Sequence, residues 1–370
     1  MPKSILIVTG IFPPDSGGPS KFSMEFGSWA AKKNFEVIVR TYSDDQNMMS
    51  RVGLMNVFPI LRSKSLVVRY IRMIKGIGNH ASSAISVLAV GAFLETYISS
   101  IIYRFKYTVK VPGDIVWERA RNNGVTDLSI EDFQQQRMSF KYQIFRKLFS
   151  NSLKRAQTVI VPSRGLYNLC LTWGVSEMKL KLIHNAVEQL KSQNTSMNSP
   201  EFDFVTICRL APWKGVDEII NYCADRNLKL AIAGDGPDRP RLESLAKKQS
   251  AHVTFMGNIS AESVIQLLSN SKIFVLNSYY EGLPHALVEA RAAGVLSVAR
   301  AGTGSEEVIN DDVDGYLVRA DRPLDVTLDL ALASQTNTNE FIRKAKDDAN
   351  SRFNKETNYS EILKIVEGVQ

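Results

Sequence analysis

Cysteine and histidine are both scarce in this chain. Cys170, Cys208 and Cys223 show no paired spacing and no CxxC, which argues against a disulfide scaffold or a cysteine-built zinc site and fits a reducing cytosol. His80, His184, His252 and His285 have no metal-like spacing. A long uncharged apolar run is also missing. The longest apolar region, Ala81 to Tyr103, is broken by Glu95 and several serines, so it reads as a strand followed by a helix and not as a membrane span. Met1-Pro-Lys-Ser-Ile-Leu-Ile-Val runs straight into a buried-strand pattern without a signal-peptide cleavage region, so a cytoplasmic location is expected. Ile5 to Thr9 is not followed by GxGxxG, which counts against a nicotinamide oxidoreductase. Low-complexity segments and short-period repeats are absent from the sequence.

What remains is ordinary globular composition, 44% apolar and 22% charged, in 370 residues, a length that fits two domains better than one. The charge is unevenly placed. Residues 1–190 carry 25 Lys+Arg against 13 Asp+Glu, a net +12, and residues 191–370 carry 20 against 25, a net −5. A basic half beside an acidic half predicts two domains with different partners.

Strand and helix patterns alternate through the first half. Strands are predicted at Ile5 to Thr9, Phe35 to Thr41, Ile85 to Val90, Tyr107 to Val111 and Thr158 to Val161, and a helix at Ser20 to Lys33. Residues Glu188 to Pro200 have no apolar period and read as a linker. The alternation then restarts, with strands at Phe204 to Cys208, Leu228 to Ala233, Val253 to Phe255, Ile273 to Leu276 and Val295 to Ala299. This order implies an α/β fold of two doubly wound, Rossmann-like domains with parallel strands and helical crossovers. Such folds bind ligands at strand ends.

The chemistry concentrates in Glu281-Gly-Leu-Pro-His-Ala-Leu-Val-Glu289, where two carboxylates stand eight residues apart. Glu281 sits on a tight strand-to-helix turn, and Glu289 sits about two turns into the helix. Between them, across Gly282, Leu283, Pro284, His285 and Ala286, a helix begins, and the N–H groups of its first turn suit a phosphate. Hydroxyls, a phosphate and hydroxyls again, in line, describe a nucleotide sugar. Arg209 and Lys214, five apart across a proline-containing turn, make a cationic clamp: Arg grips a phosphate bidentately and Lys adds a compact charge. Gly17-Gly18-Pro19 opens a helix and lets its backbone approach an anion closely.

Taken in order, Cys208-Arg-Leu-Ala-Pro-Trp-Lys-Gly-Val, Ala233-Gly-Asp-Gly-Pro, Phe255-Met-Gly-Asn, Glu281-Gly-Leu-Pro-His-Ala-Leu-Val-Glu-Ala and Glu307-Val-Ile resemble the C-terminal half of family 4 glycosyltransferases, retaining enzymes of the GT-B fold. Upstream, Gly17-Gly-Pro, Val161-Pro-Ser and Ile183-His-Asn-Ala-Val-Glu fall where that family has similar segments, so the resemblance covers roughly residues 5 to 320. The resemblance implies two facing domains: an acceptor domain at 1–187, a linker at 188–200, a donor domain at 201–350, and a final helix at 351–370 returning to the first domain. It further implies that Arg209 and Lys214 neutralise the leaving diphosphate, Glu281 contacts the transferred sugar, Glu289 holds the ribose, and Gly18 places an N–H on the distal phosphate. Base contacts are expected from the backbone near Gly257, Asn258, Ile259 and Ser260.

The sequence departs from the family at one place. Many relatives carry a His in a first-domain loop facing the sugar, whereas the matching segment here, Lys110-Val-Pro-Gly-Asp-Ile-Val-Trp-Glu118, has none. Asp114 is the candidate replacement, with Glu118 second, and each also reads as a turn or capping residue. Asp312-Val-Asp314 has a metal-binding DxD form but reads as a turn before Gly315-Tyr-Leu-Val, and turnover without metal or other cofactor is expected.

The expected reaction is hexosyl transfer from a UDP- or GDP-sugar to a hydroxyl of a glycan or lipid-linked saccharide, in bacterial surface polysaccharide or glycolipid synthesis. Two basic, apolar-rich stretches, Leu61 to Lys75 and Phe140 to Phe149, read either as ordinary amphipathic helices or as an anionic-membrane contact. Nucleic acid is not an expected partner, since no recognition motif accompanies the charge. A GT-B epimerase and a non-catalytic partner subunit stay open as alternatives.

Overall fold

The computed structural model describes residues 3–368 except 16, 46–49, 85, 188–199, 303 and 335–338. Nearly all of the expected linker therefore lies outside the described residues. The chain folds as two compact units. The first is Met1–Thr126, Gln134–Ile183 and Glu356–Gln370, and the second is Asp127–Phe133 and His184–Lys355.

In chain order the elements of the first half are β1 (Ser4–Val8), α1 (Gly18–Lys32), β2 (Glu36–Ser43), β3 (Arg51–Val52), β4 (Met55–Leu61), α2 (Leu66–Ala81), β5 (Ser86–Ala89), α3 (Phe93–Ile102), β6 (Thr108–Lys110), α4 (Ile115–Asn122), α5 (Ile130–Gln135), α6 (Phe140–Arg155), β7 (Thr158–Val161), α7 (Arg164–Thr172) and β8 (Leu180–Leu182). Their sheet has the order β3-β4-β2-β1-β5-β6-β7-β8. Every neighbouring pair is parallel except β3 with β4. All five residues of β1 are buried, as a parallel strand covered on both faces requires.

The rest comprises β9 (Phe202–Ile207), α8 (Val216–Asp225), β10 (Leu230–Ala233), α9 (Arg239–Lys248), β11 (Val253–Gly257), α10 (Ala261–Ser269), β12 (Ser271–Leu276), α11 (His285–Ala293), β13 (Leu296–Arg300), β14 (Tyr316–Val318), α12 (Leu324–Ala333), α13 (Asn339–Arg352) and α14 (Lys355–Glu367). The second sheet, β11-β10-β9-β12-β13-β14, is parallel throughout. Two apolar layers cover it, one led by Leu287, Val288 and Phe353 and the other by Ile219, Leu242 and Leu328.

In each sheet the strand order reverses at one point, between β1 and β5 in the first and between β9 and β12 in the second. Loops leaving the strand ends on either side of such a point diverge and open a crevice. At the first reversal the two loops still touch where they leave the strands, since a side chain on Gly91 would lie 2.5 Å from the Gly10 nitrogen. The last helix packs in the first unit, where Tyr359 sits edge-on to Phe22, Phe26 and Trp29 of α1 and Trp29 donates to Glu356 at 2.7 Å. Among the described residues no helix is long and apolar enough to cross a membrane.

Candidate active site

The second unit brings most of the expected site residues to the ends of the strands flanking its reversal. Arg209 follows the end of β9 after one residue, Cys208. Its side chain is exposed, and no hydrogen bond or ion pair holds it among the described residues. The chain then makes a tight turn, Pro212–Lys214, that closes on Gly215 in the left-handed region at φ 59°. A side chain at Gly215 would lie 2.6 Å from the Asn277 amide, so both the backbone angle and the space demand glycine there.

The turn is fixed to the end of β12 by a network that sequence reasoning missed. Asn277 donates to the Gly215 carbonyl at 2.9 Å. Arg300, the last residue of β13, donates to Asn277 at 3.0 Å and to Glu218 at 2.7 Å. The Tyr279 N–H donates to the Trp213 carbonyl at 2.9 Å. The available signal was positional: Asn277, Tyr279 and Arg300 all lie at C-terminal strand ends, where α/β folds gather ligand-side groups.

Lys214 and Glu281 meet directly, with Nζ donating to Oε1 at 2.5 Å and the side chains 13% and 16% exposed. The cation expected at the diphosphate and the carboxylate expected at the sugar are thus paired with each other. Cys208 lies beside them, and burial pushes its thiol up to about 11, which leaves it neutral and poorly nucleophilic at pH 7.

Past Glu281 the backbone turns through Gly282 and Leu283 into α11, whose N-cap is Pro284 and which has no side-chain cap. The first-turn N–H groups of such a helix have no intrahelical partner and favour an anion. Asn185 holds the turn by donating to the Leu283 carbonyl at 3.0 Å, and the Gly304 N–H donates to the Glu281 carbonyl at 3.0 Å. Gly304 has no room for a side chain, which would lie 2.5 Å from the Gly282 oxygen. His285 and Ala286 begin α11, and Glu289 sits part-exposed on it between buried Val288 and Ala290.

Gly257, Asn258 and Ile259 leave the end of β11. The neighbouring Ala233-Gly-Asp-Gly-Pro loop presses on the Arg209 segment: Leu210 donates to the Asp235 carbonyl at 3.0 Å, and a side chain on Gly236 would lie 2.2 Å from the Leu210 oxygen. The Asp312-Val-Asp314 segment forms the expected turn. Asp314 pairs with fully buried Arg291 at 2.8 Å, and Asp312 pairs with Arg322 at 2.7 Å. Among the described residues no group of three or more His, Cys, Asp and Glu could hold a metal ion.

Three expected site residues lie in the first unit. Gly17 and Gly18 open α1, whose N-terminus also lacks a side-chain cap, and a side chain on Gly18 would meet nothing within 4 Å. Asp114 takes the capping geometry: it is 0% exposed, and one oxygen caps α4 by accepting from Val116 at 3.0 Å and Trp117 at 3.1 Å. The other accepts from Gln134 at 3.0 Å and Arg146 at 2.7 Å. Both carboxylate oxygens are thus engaged by groups of the first unit. Glu118 is a first-turn residue of α4.

Residues 187–348 match the family model described as Glycosyl transferases group 1. The chain is 27% identical over 231 residues to an uncharacterized glycosyltransferase of Methanocaldococcus jannaschii, covering 58% of this chain and 59% of that one. It is 33% identical over 123 residues to a Campylobacter jejuni α-1,4-N-acetyl-D-galactosaminyltransferase named for a saccharide on PP-undecaprenol, covering 32% of this chain and 34% of that one. The chain thus spans between about a third and three-fifths of the length of these relatives. Among solved structures, Anabaena HepE in complex with UDP-glucose matches with TM-score 0.77 and 18% identity over 99% of each chain. That likeness gives the present chain the GT-B fold.

Proposed function

We propose that this protein is a retaining hexosyltransferase that moves a sugar from a UDP- or GDP-sugar to a hydroxyl of a glycan or lipid-linked saccharide. The observation that carries this reading is the meeting, at the ends of β9 and β12, of exposed Arg209, the Lys214–Glu281 pair and the uncapped N-terminus of α11. A cation with no partner among the described residues, a cation held on a carboxylate and a helix N-terminus without a side-chain cap form a receptor for a diphosphate carrying a polyol. The group 1 match over this unit and the UDP-glucose bound by HepE support the same donor class.

Charge grows on the diphosphate as the bond from the anomeric carbon to the phosphate oxygen breaks. Arg209, Lys214 and the α11 N–H groups stabilise it, each donor contributing roughly 3–4 kcal/mol in comparable sites. The acceptor oxygen bonds to the anomeric carbon on the face that the phosphate leaves, and its proton passes to the departing phosphate oxygen. Glu281 releases Lys214 to the phosphate and accepts hydroxyl protons of the sugar, and Glu289 accepts those of the ribose. No metal is needed, since cations and helix N–H groups take its place and Asp312 and Asp314 are committed to Arg322 and Arg291.

The first unit takes the acceptor in this reading, at the inner face of the cytoplasmic membrane. Leu66, Val67, Val68 and Ile71 are exposed at the start of α2 beside exposed Arg72 and Lys75, and Phe140 and Ile144 are exposed on α6. Apolar residues flanked by cations suit an anionic lipid surface. The Campylobacter relative, named for a lipid-diphosphate-linked saccharide, fits that placement.

Calorimetric titration with UDP and GDP, with and without EDTA, followed by product analysis, tests the proposal. Micromolar binding of one nucleotide unaffected by EDTA, and transfer with retained configuration, are expected. Isomerised donor without transfer would instead identify an epimerase, and binding of neither nucleotide would remove the donor site.

A further inference from the structure

The first unit holds a polar cluster that the donor chemistry does not use. It forms near the strand reversal of its own sheet, where β2 ends and α2 and α3 begin. Tyr42 comes from the end of β2, Arg69 and Tyr70 from the start of α2, and Glu95 from the first turn of α3. Glu95 is 5% exposed, and its Oε1 accepts from the Tyr42 hydroxyl at 2.6 Å. Burial raises the Glu95 carboxyl above its usual range, with the Tyr42 hydrogen bond and Arg119 of α4 acting in the opposite direction. Burial likewise raises the phenols of Tyr42 and Tyr70.

Arg69 is the unusual member. Its guanidinium lies 6.0 Å from the Tyr42 ring centroid, and among the described residues its buried Nε has no hydrogen-bond partner and no carboxylate pairs with it. An N–H withdrawn from water without an acceptor is costly, and an arriving oxyanion would supply that acceptor to the Arg69 Nε. Tyr42, Arg69 and Tyr70 are only part-buried, so the cluster reaches the surface. The surrounding loops are held in place: Arg62 donates to the carbonyls of Gly10 at 3.1 Å and Tyr42 at 3.3 Å and pairs with Asp15 and Asp44.

We propose that Tyr42, Arg69, Tyr70 and Glu95 form a second ligand subsite for a saccharide bearing an oxyanion. Arg69 takes the oxyanion, Glu95 and Tyr42 take neighbouring hydroxyls, and the tyrosine rings cover the apolar face of the sugar. The inference rests on the reading of the first unit as the acceptor side, and it names the acceptor's chemistry as a sugar phosphate or a sugar carboxylate.

The test saturates the full-length protein with whichever of UDP and GDP it binds, then titrates glucose 1-phosphate, glucuronate and glucose. One of the two oxyanion probes should bind at least tenfold more tightly than glucose, and which one does so distinguishes phosphate from carboxylate. Arg69→Met should erase that preference, and Arg69→Lys should restore part of it. Glu95→Gln, which keeps a group to accept from Tyr42, should weaken the sugar probes but not inorganic phosphate. Nucleotide affinity should be unchanged in all three variants, which also reports that they fold. Equal binding of all three sugars, or a preference that survives Arg69→Met, overturns the subsite while leaving the donor reading intact. Failure of the unmodified protein to bind either nucleotide strikes the donor reading instead.

Discussion

Neutralising Glu281 should tighten the binding of the bare nucleotide while slowing transfer. Lys214 is held by Glu281 at 2.5 Å, so a diphosphate must draw the ammonium away from that carboxylate or share it with a second anion. Glu281→Gln keeps the shape and a carbonyl acceptor but removes the competing charge. The two side chains are 13% and 16% exposed, less than in the surface pairs that typically contribute 0.2–1 kcal/mol, and they are not fully desolvated. A coupling of about 1 kcal/mol is therefore reasonable, which corresponds to roughly fivefold in dissociation constant. Calorimetry with UDP or GDP at low salt should show that gain, and it should shrink at high salt as screening weakens the competition. Transfer from the full donor should fall in the same variant, because the sugar loses its carboxylate. Weaker nucleotide binding in Glu281→Gln would refute the reasoning, since it would mean that the carboxylate helps to seat the diphosphate.

Arg209→Ala should lower transfer by about 10²–10³-fold without changing the melting temperature, because the side chain is exposed and its proposed work is on charge developing in the reaction; near-normal turnover would remove the clamp. Lys110 at the end of β6 is 3% exposed, its amine has no hydrogen-bond partner among the described residues, and burial lowers it from 10.5 to about 7. The unfolded chain therefore binds one more proton than the folded one between those values, so this group's contribution to stability rises with pH from 7 towards 10.5. Subtracting the Lys110→Met curve isolates it from the cysteines and tyrosines, and denaturant titrations should show the difference rising by about 2 kcal/mol between pH 7 and 9; a flat difference would mean that the amine is solvated. Asp114→Ala removes the α4 cap and the carboxylate partner of Arg146, so a loss of about 3–5 kcal/mol is expected with nucleotide affinity unchanged in the variant that remains folded. Val67→Glu with Ile71→Glu should reduce cosedimentation with anionic vesicles while sparing transfer to a soluble acceptor.

The strand pattern was largely readable because parallel strands covered on both faces must be apolar along their length. Thr158–Val161 falls where the apolar run places it, and the other predicted strands shift by only a residue or two at their ends. β4 escaped because Pro59 stands inside it, and proline normally argues against a strand. Pro59 pairs with Thr41 of β2, while β3 reaches only Met55 and Asn56, so the missing N–H costs no ladder bond to β3. β8 escaped because three residues, Leu180–Leu182, are too few to display a period.

At the site, the local signals were those within one turn or loop. The glycines of the 233–237 loop, the Pro284 entrance to α11 and the Pro212–Lys214 turn are short-range features, dictated by backbone angles and by the absence of room for a Cβ, and the chain shows them directly. Asp114 has two local readings, a ligand contact or a helix cap; one oxygen makes the local cap, and only the arrival of Arg146, 32 residues later, engages the other. The pairing of Lys214 with Glu281 joins side chains 67 residues apart, and that of Tyr42 with Glu95 joins side chains 53 apart. Local chemistry determines which residues are able to carry charge, cap a helix or admit a backbone. Which of those charges meet, and which guanidinium is left without an anion, depends on the order in which the strands assemble, and only the tertiary structure decides that.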